Sequence, residues 1–209
     1  DLFRATAADV IADLDALDGE FEEGLAECES RDLVTSHQAF GYLAQRYELE
    51  EQNAESGFRA SKALSDNLQR VLVDLLELQL QGKQAHWNVV GRNFRDIHLQ
   101  LDELVDFARE ASDTIAERMR ALHAVPDGRS RTVSATTSLE EFPAGEVATT
   151  EVIDLVTARL ESAVGTVRDV RDEVDEEDPT TADLLHKVIE TLEQYAWMVS
   201  AENRTPAAK

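Results

Sequence analysis

Between Phe94 and Leu122 the chain runs without a glycine or a proline, and apolar residues fall at Ile97, Leu101, Leu104, Ala108, Ala111, Ile115, Met119 and Leu122. Steps of three and four residues place these side chains on one face and predict a single long amphipathic helix. Asn93 stands where an N-cap would, with Asp96 three residues later. What this helix carries on its other positions constrains the whole chain. His98 and Asp102 are four residues apart, and so are Asp113 and Glu117. Each pair lies one turn apart on one face and can offer two ligands to one metal ion. The pairs themselves are separated by roughly 22 Å at about 1.5 Å per residue. One ion cannot be held by both pairs within one helix. Either they serve different sites, or two copies of the helix lie antiparallel across a two-fold axis. In the second case His98 and Asp102 of one copy face Asp113 and Glu117 of the other, a self-complementary contact of the commonest oligomeric kind.

The flanking segments supply partners for this helix. Ser61 to Trp87 reads as a first long helix, with Leu64, Leu68, Val71, Leu72, Leu75, Leu76, Leu78 and Leu80 forming a stripe wide enough to be buried on two sides. Gly82 interrupts it at modest cost, His86 lies near its end, and Gly91 breaks the chain before the second helix. After Pro126-Asp127-Gly128 comes a long connection from Arg129 to Thr150, in which Ser138 to Phe142 could form one helical turn. Thr150 can cap a third helix, whose inward positions include Val152, Leu155, Leu160, Val164, Val167 and Val174. Asp178 then caps a fourth, with Pro179 at its first position. Four helices with one long crossover make the expected fold all-α.

The block HWNVVGRNFRDIHLQLD followed by D-x-x-x-E resembles the ferroxidase signature of the Dps proteins, dodecameric mini-ferritins named as DNA-binding proteins from starved cells. The resemblance covers about residues 60 to 203 and extends to ALHAVPDG and LEQYAWMVSAENR. It implies a ferritin-like four-helix bundle with the long crossover between helices two and three. It also implies an iron site formed by His86, His98, Asp102, Asp113 and Glu117, shared between two subunits of a homo-dodecamer. Asp102 and Glu117 would be its firmest iron ligands, and Trp87 would lie beside it. Ferrous iron would be oxidised with hydrogen peroxide or dioxygen and stored as ferric mineral. Asp183, and more weakly Asp178, match acids that line the family's three-fold iron pores. An acidic helix offers i,i+4 acid pairs by chance, so one pair alone says little; five matching positions in the AHWNV context say much more. In a pocket so rich in acids, removing one should relieve repulsion. His123 reads as a helix-end residue favoured by the dipole, and His186 as a surface or interface residue.

Residues 1 to 57 pose a separate question. They carry fifteen acidic residues against three basic ones. Asp9 to Glu27 has helical spacing, Asp32 to Ser36 suits a short strand, and His37 to Tyr47 a second helix. A lone strand between two helices would leave its edges unpaired. The stretch LAECESRDLVTSHQAFGYLAQRYEL resembles part of the zinc-binding lipoproteins of ABC importers over about residues 1 to 52. That resemblance implies a zinc ligand at His37, although one histidine does not make a tetrahedral site. Gln52 to Gly57 reads as a linker to a body at residues 58–209.

Charge limits the partners. A formal net charge of −23 over 209 residues repels nucleic acid and anionic membranes and suits cations. The C-terminal tail offers only Arg204 and Lys209, so nucleoid DNA binding is the weaker alternative function, and zinc capture by the extension another. A single cysteine, Cys28, fits a reducing compartment. With no membrane-length apolar run and no visible signal peptide, the expected location is cytoplasmic.

Overall fold

The computed structural model describes residues 2–26, 28, 32–35, 41–53 and 58–206. They divide into two compact units, Asp1–Phe58 and Arg59–Lys209.

In the second unit four long helices form the bundle: α3 (Lys62–Asn88), α4 (Phe94–Ala121), α6 (Thr149–Glu177) and α7 (Pro179–Ala201). The shared core includes Leu68, Leu75, Leu104, Ile115, Leu160, Leu185 and Leu192, all at most 1% exposed. These are the stripes that the apolar spacing predicts. Leu80 departs from its stripe and is 57% exposed. Gly82 does not interrupt α3. A Cβ there would lie 2.8 Å from Val105 Cγ2, so the missing side chain lets α3 and α4 approach closely.

At Asn93 and Thr150 the helix ends differ from the sequence expectation. Ser61 caps α3, accepting from the Leu64 N–H at 3.0 Å and donating its hydroxyl to Glu177 at the end of α6. Asn93 is the N-cap of α4 but adopts φ 58°, and its side chain caps no backbone N–H. Helix α6 starts at Thr149 with Ala148 in the cap position, two residues before the expected cap at Thr150. At the other end of α4, His123 takes φ 63°, its N–H bonds to the Arg120 carbonyl, and the Ala124 N–H reaches back to Met119 at 2.9 Å. That is a Schellman ending with histidine where glycine is usual.

The crossover, residues 122–148, holds α5 (Ser130–Thr136), while the expected helical turn at Ser138 to Phe142 is absent. Two buried polar side chains explain this. Asp74 of α3, 2% exposed, accepts from the Thr137 hydroxyl, the Ser138 N–H, the Ser138 hydroxyl and the Thr166 hydroxyl, at 2.6–2.9 Å. Arg159 of α6, 4% exposed, donates to Gln81 and to the Glu141 carbonyl and sits over the Phe142 ring. These contacts with α3 and α6 hold the path of the crossover. The crossover ends in β4 (Val147–Ala148), which pairs in parallel with β3 (Val89–Val90) at the α3–α4 turn.

The first unit contains α1 (Leu2–Leu25), β1 (Asp32–Thr35), α2 (Gly41–Arg46) and β2 (Glu50–Asn53). The strand at Asp32 is not unpaired: β1 and β2 lie parallel, Asp32 opposite Glu50 and Thr35 opposite Asn53. The partner strand falls where a linker was expected to begin, because an acidic EEQN run has no strand signature. Asp18 accepts from Arg46 and from the Tyr47 hydroxyl, which together hold its carboxyl below the usual range, and Phe21 stacks on Tyr47. Val10, Ile11 and Leu14 of α1 are more than half exposed. His37 lies outside the described residues.

Candidate metal centre

The site is made by the reversal between α3 and α4. The last turns of α3 carry Lys83, His86 and Trp87, and the first turns of α4 carry Phe94, His98 and Asp102. Between them Gly91 takes φ 121° and Asn93 φ 58°, left-handed conformations that fold the chain back within five residues. A Cβ on Gly91 would also crowd Thr149 at 3.2 Å. The reversal brings two histidines twelve residues apart into contact.

Their contact is reciprocal. His86 Nδ1 lies 2.9 Å from the His98 carbonyl oxygen, and His98 Nδ1 lies 3.0 Å from the His86 carbonyl oxygen. A carbonyl oxygen only accepts, so each Nδ1 carries the proton. An imidazole whose one proton is on Nδ1 presents the lone pair of Nε2 to a metal. The rings stack at 3.7 Å between centroids, 21° from parallel, and Phe94 covers His98 at 5.0 Å. His86 is buried and His98 partly so. Asp102 completes the group: one potential ligand atom from each of His86, His98 and Asp102 lies within 4.8 Å of the others. Asp102 Oδ1 is 3.4 Å from His86 Nδ1.

Lys83 was not among the residues that the sequence singled out. Its Nζ lies 2.5 Å from Asp102 Oδ1. That hydrogen bond, followed by the nearby histidines, holds the Asp102 carboxyl below the usual range. The only sequence signal for Lys83 is its place three residues before His86, on the same face of α3.

The other expected site residues are elsewhere on this chain. Asp113 and Glu117 are exposed, further along α4, and Asp113 lines a 570 Å³ surface cavity with Asp106, Arg109 and Glu110. Trp87 follows His86 but is 70% exposed. Asp178 is enclosed, paired with Arg118 at 2.7 Å and accepting from the Thr181 hydroxyl. Asp183 projects from α7 with its side chain 88% exposed, 3.7 Å from His186. His123 serves the helix ending described above.

Two imidazoles and a carboxylate form a mixed nitrogen and oxygen donor set suited to a first-row divalent ion such as ferrous iron. Residues 65–205 match the family described as "Ferritin-like domain". The Deinococcus radiodurans structure titled Dps92 superposes with a TM-score of 0.68 at 34% identity, covering 70% of this chain and 88% of that one. The chain belongs to the Dps family. The structure titled "Dps from Microbacterium arborescens in the high iron form" covers 70% of this chain and 99% of that Dps, with 31% identity and a TM-score of 0.66. "DNA protection during starvation protein 2" of Deinococcus radiodurans is 37% identical over 134 residues, which are 64% of this chain and 56% of that Dps relative. Residues 1–81 match a second family, "Zinc-uptake complex component A periplasmic", which overlaps the Dps bundle only at its first helix. Among the described residues no helix is long and apolar enough to cross a membrane.

Proposed function

We propose that the protein is a ferroxidase and iron store: it oxidises ferrous iron with hydrogen peroxide or dioxygen and retains the ferric product inside a homo-dodecameric shell. The observation that carries this reading is the reciprocal exchange of hydrogen bonds between His86 and His98, which holds both rings beside Asp102 with a nitrogen lone pair free on each. The half-site so formed has three ligands. Asp113 and Glu117 complete it from a second copy of α4 lying antiparallel across a two-fold axis, an arrangement that the separation of the two pairs along one helix allows. Imidazole favours the ferrous reactant, carboxylate the ferric product, and the chain's own part is to hold both donor types in place before iron arrives.

Iron enters through three-fold openings lined by Asp183, whose exposed carboxylate is free to take that role; Asp178, tied to Arg118, is less available. The acidic surface, −23 in formal charge, supports cation traffic rather than DNA binding. Residues 58–209 are the working body, and residues 1–57 an appendage. Such a protein suits the reducing cytoplasm, where ferrous iron persists.

The test is complementation between inactive variants. Asp102→Ala and Glu117→Ala should each abolish fast loss of Fe(II) in the presence of peroxide. Co-assembly of the two from mixed, dissociated subunits should restore part of the rate, because some interfaces then pair an intact half with an intact half. Mixed particles as inactive as either parent would reject a site shared between copies.

A further inference from the structure

We infer that Lys83 is a resident counter-cation of the candidate centre, held on Asp102 until a divalent metal displaces it, and that it thereby sets the metal concentration at which the site loads. This rests on the metal-binding reading above and adds a regulatory element to it. The ammonium of Lys83 contacts Asp102 Oδ1, the same oxygen that lies 3.4 Å from His86 Nδ1. The carboxylate oxygen that lies against the His86 ring is therefore the one already occupied by a positive charge. A protonated ammonium has no lone pair, so it cannot join the ligand set; it can only compete with an incoming cation for that oxygen. Among the described residues Asp102 is the only carboxylate with which Lys83 forms an ion pair. The two side chains are 34% and 40% exposed, so the four-carbon stem has open solvent into which the head can swing.

The competition is uneven. A divalent ion carries twice the charge of the ammonium and gains imidazole nitrogens that the ammonium cannot use, so it wins once its concentration is high enough. Below that point the lysine neutralises Asp102 and keeps it oriented. The pair thus buffers the site against weak occupancy. A merely structural role for Lys83 predicts the opposite outcome on removal, since an unheld Asp102 would bind metal less well.

The experiment is calorimetric titration of the full-length protein with Co(II), a divalent ion that stays in one oxidation state under these conditions. Lys83→Gln and Lys83→Met remove the charge while keeping much of the stem; Lys83→Arg keeps the charge. Circular dichroism confirms folding of each, and the two neutral variants guard against one failing to fold. The expected result is an affinity about tenfold higher than the parent's for Gln and Met, unchanged stoichiometry, and near-parental affinity for Arg. Equal or weaker binding by both neutral variants would overturn the competing role. His98→Ala marks the site: if the parent binds no Co(II) that His98→Ala removes, the metal-centre reading itself fails, an outcome distinct from failure of the lysine's role.

Discussion

Asp102 is the residue on which most of the chemistry converges. The sequence suggests an acid-rich pocket in which losing a carboxylate relieves repulsion, whereas on this chain Asp102 stands beside Lys83 and two histidines. Its folded-state pKa is lowered, chiefly by Lys83. A depressed carboxyl contributes stability that is present above its unfolded value, about 3.9, and lost as pH falls through the folded value. Asp102→Asn should therefore melt below the parent at pH 7, and the gap should close as pH drops beneath the ordinary aspartate range; thermal melts across pH 7 to 3 measure this. A gap independent of pH would mean that the charge is not the stabilising feature. His123 offers the converse case. It occupies a left-handed position and, among the described residues, has no partner that needs imidazole, so His123→Gly should stabilise the protein by about 1 kcal/mol, read from denaturant midpoints, with Co(II) binding unchanged.

At the scale of elements, what the sequence reveals follows from how each piece is held. Helices α3, α4, α6 and α7 each bury a stripe of their own side chains, and a stripe has a period that can be read. The turn of α3 into α4 announces itself through Gly91. The crossover has no such period, because its path is dictated by Asp74 and Arg159, which belong to distant helices. The carbonyl acceptors that lock the two histidines have no sequence signature at all, and the His–carbonyl exchange was therefore invisible even though both histidines were identified. Two variants test this account. Asp74→Ala leaves four donors around an empty acceptor site and should cost roughly 2–4 kcal/mol, with increased proteolysis in the crossover as the local signature. Gly82→Ala should clash with Val105, and pairing it with Val105→Ala should recover at least about 0.5 kcal/mol relative to the sum of the single changes; strict additivity would show that the close approach of α3 and α4 at this point does not matter.

For the whole molecule, the division into two units bears on which part works. The core of the second unit is closed by its own four helices, and all five expected iron-site residues lie within it. Deletion of residues 1–57 should leave a particle smaller only by the mass of the removed segments, with an unchanged initial rate of Fe(II) loss per subunit. Light scattering and absorbance follow the two quantities. Loss of assembly, or an assembled but inactive particle, would make the first unit an integral part of the protein. Family membership was legible because the residues of the site and its turn are concentrated in one stretch of sequence. The zinc-uptake resemblance of the first unit was equally legible, but its expected ligand, His37, lies outside the described residues and stays a matter for zinc titration.

That concentration has a consequence in time. His86 and His98 meet across one tight reversal, and Lys83 to Asp102 span only twenty residues, so closing this loop carries little entropy. During synthesis the hairpin of α3 and α4 leaves the ribosome before α6 and α7 exist, and it brings its half of the centre with it. In the shared centre proposed above, the other half comes only when a second finished chain docks. Under that proposal nascent and unassembled chains would carry incomplete centres with few ligands and loose affinity, and tight binding would be deferred until the last step of assembly. Metal capture would in this way be conditional on having a compartment in which to put the product.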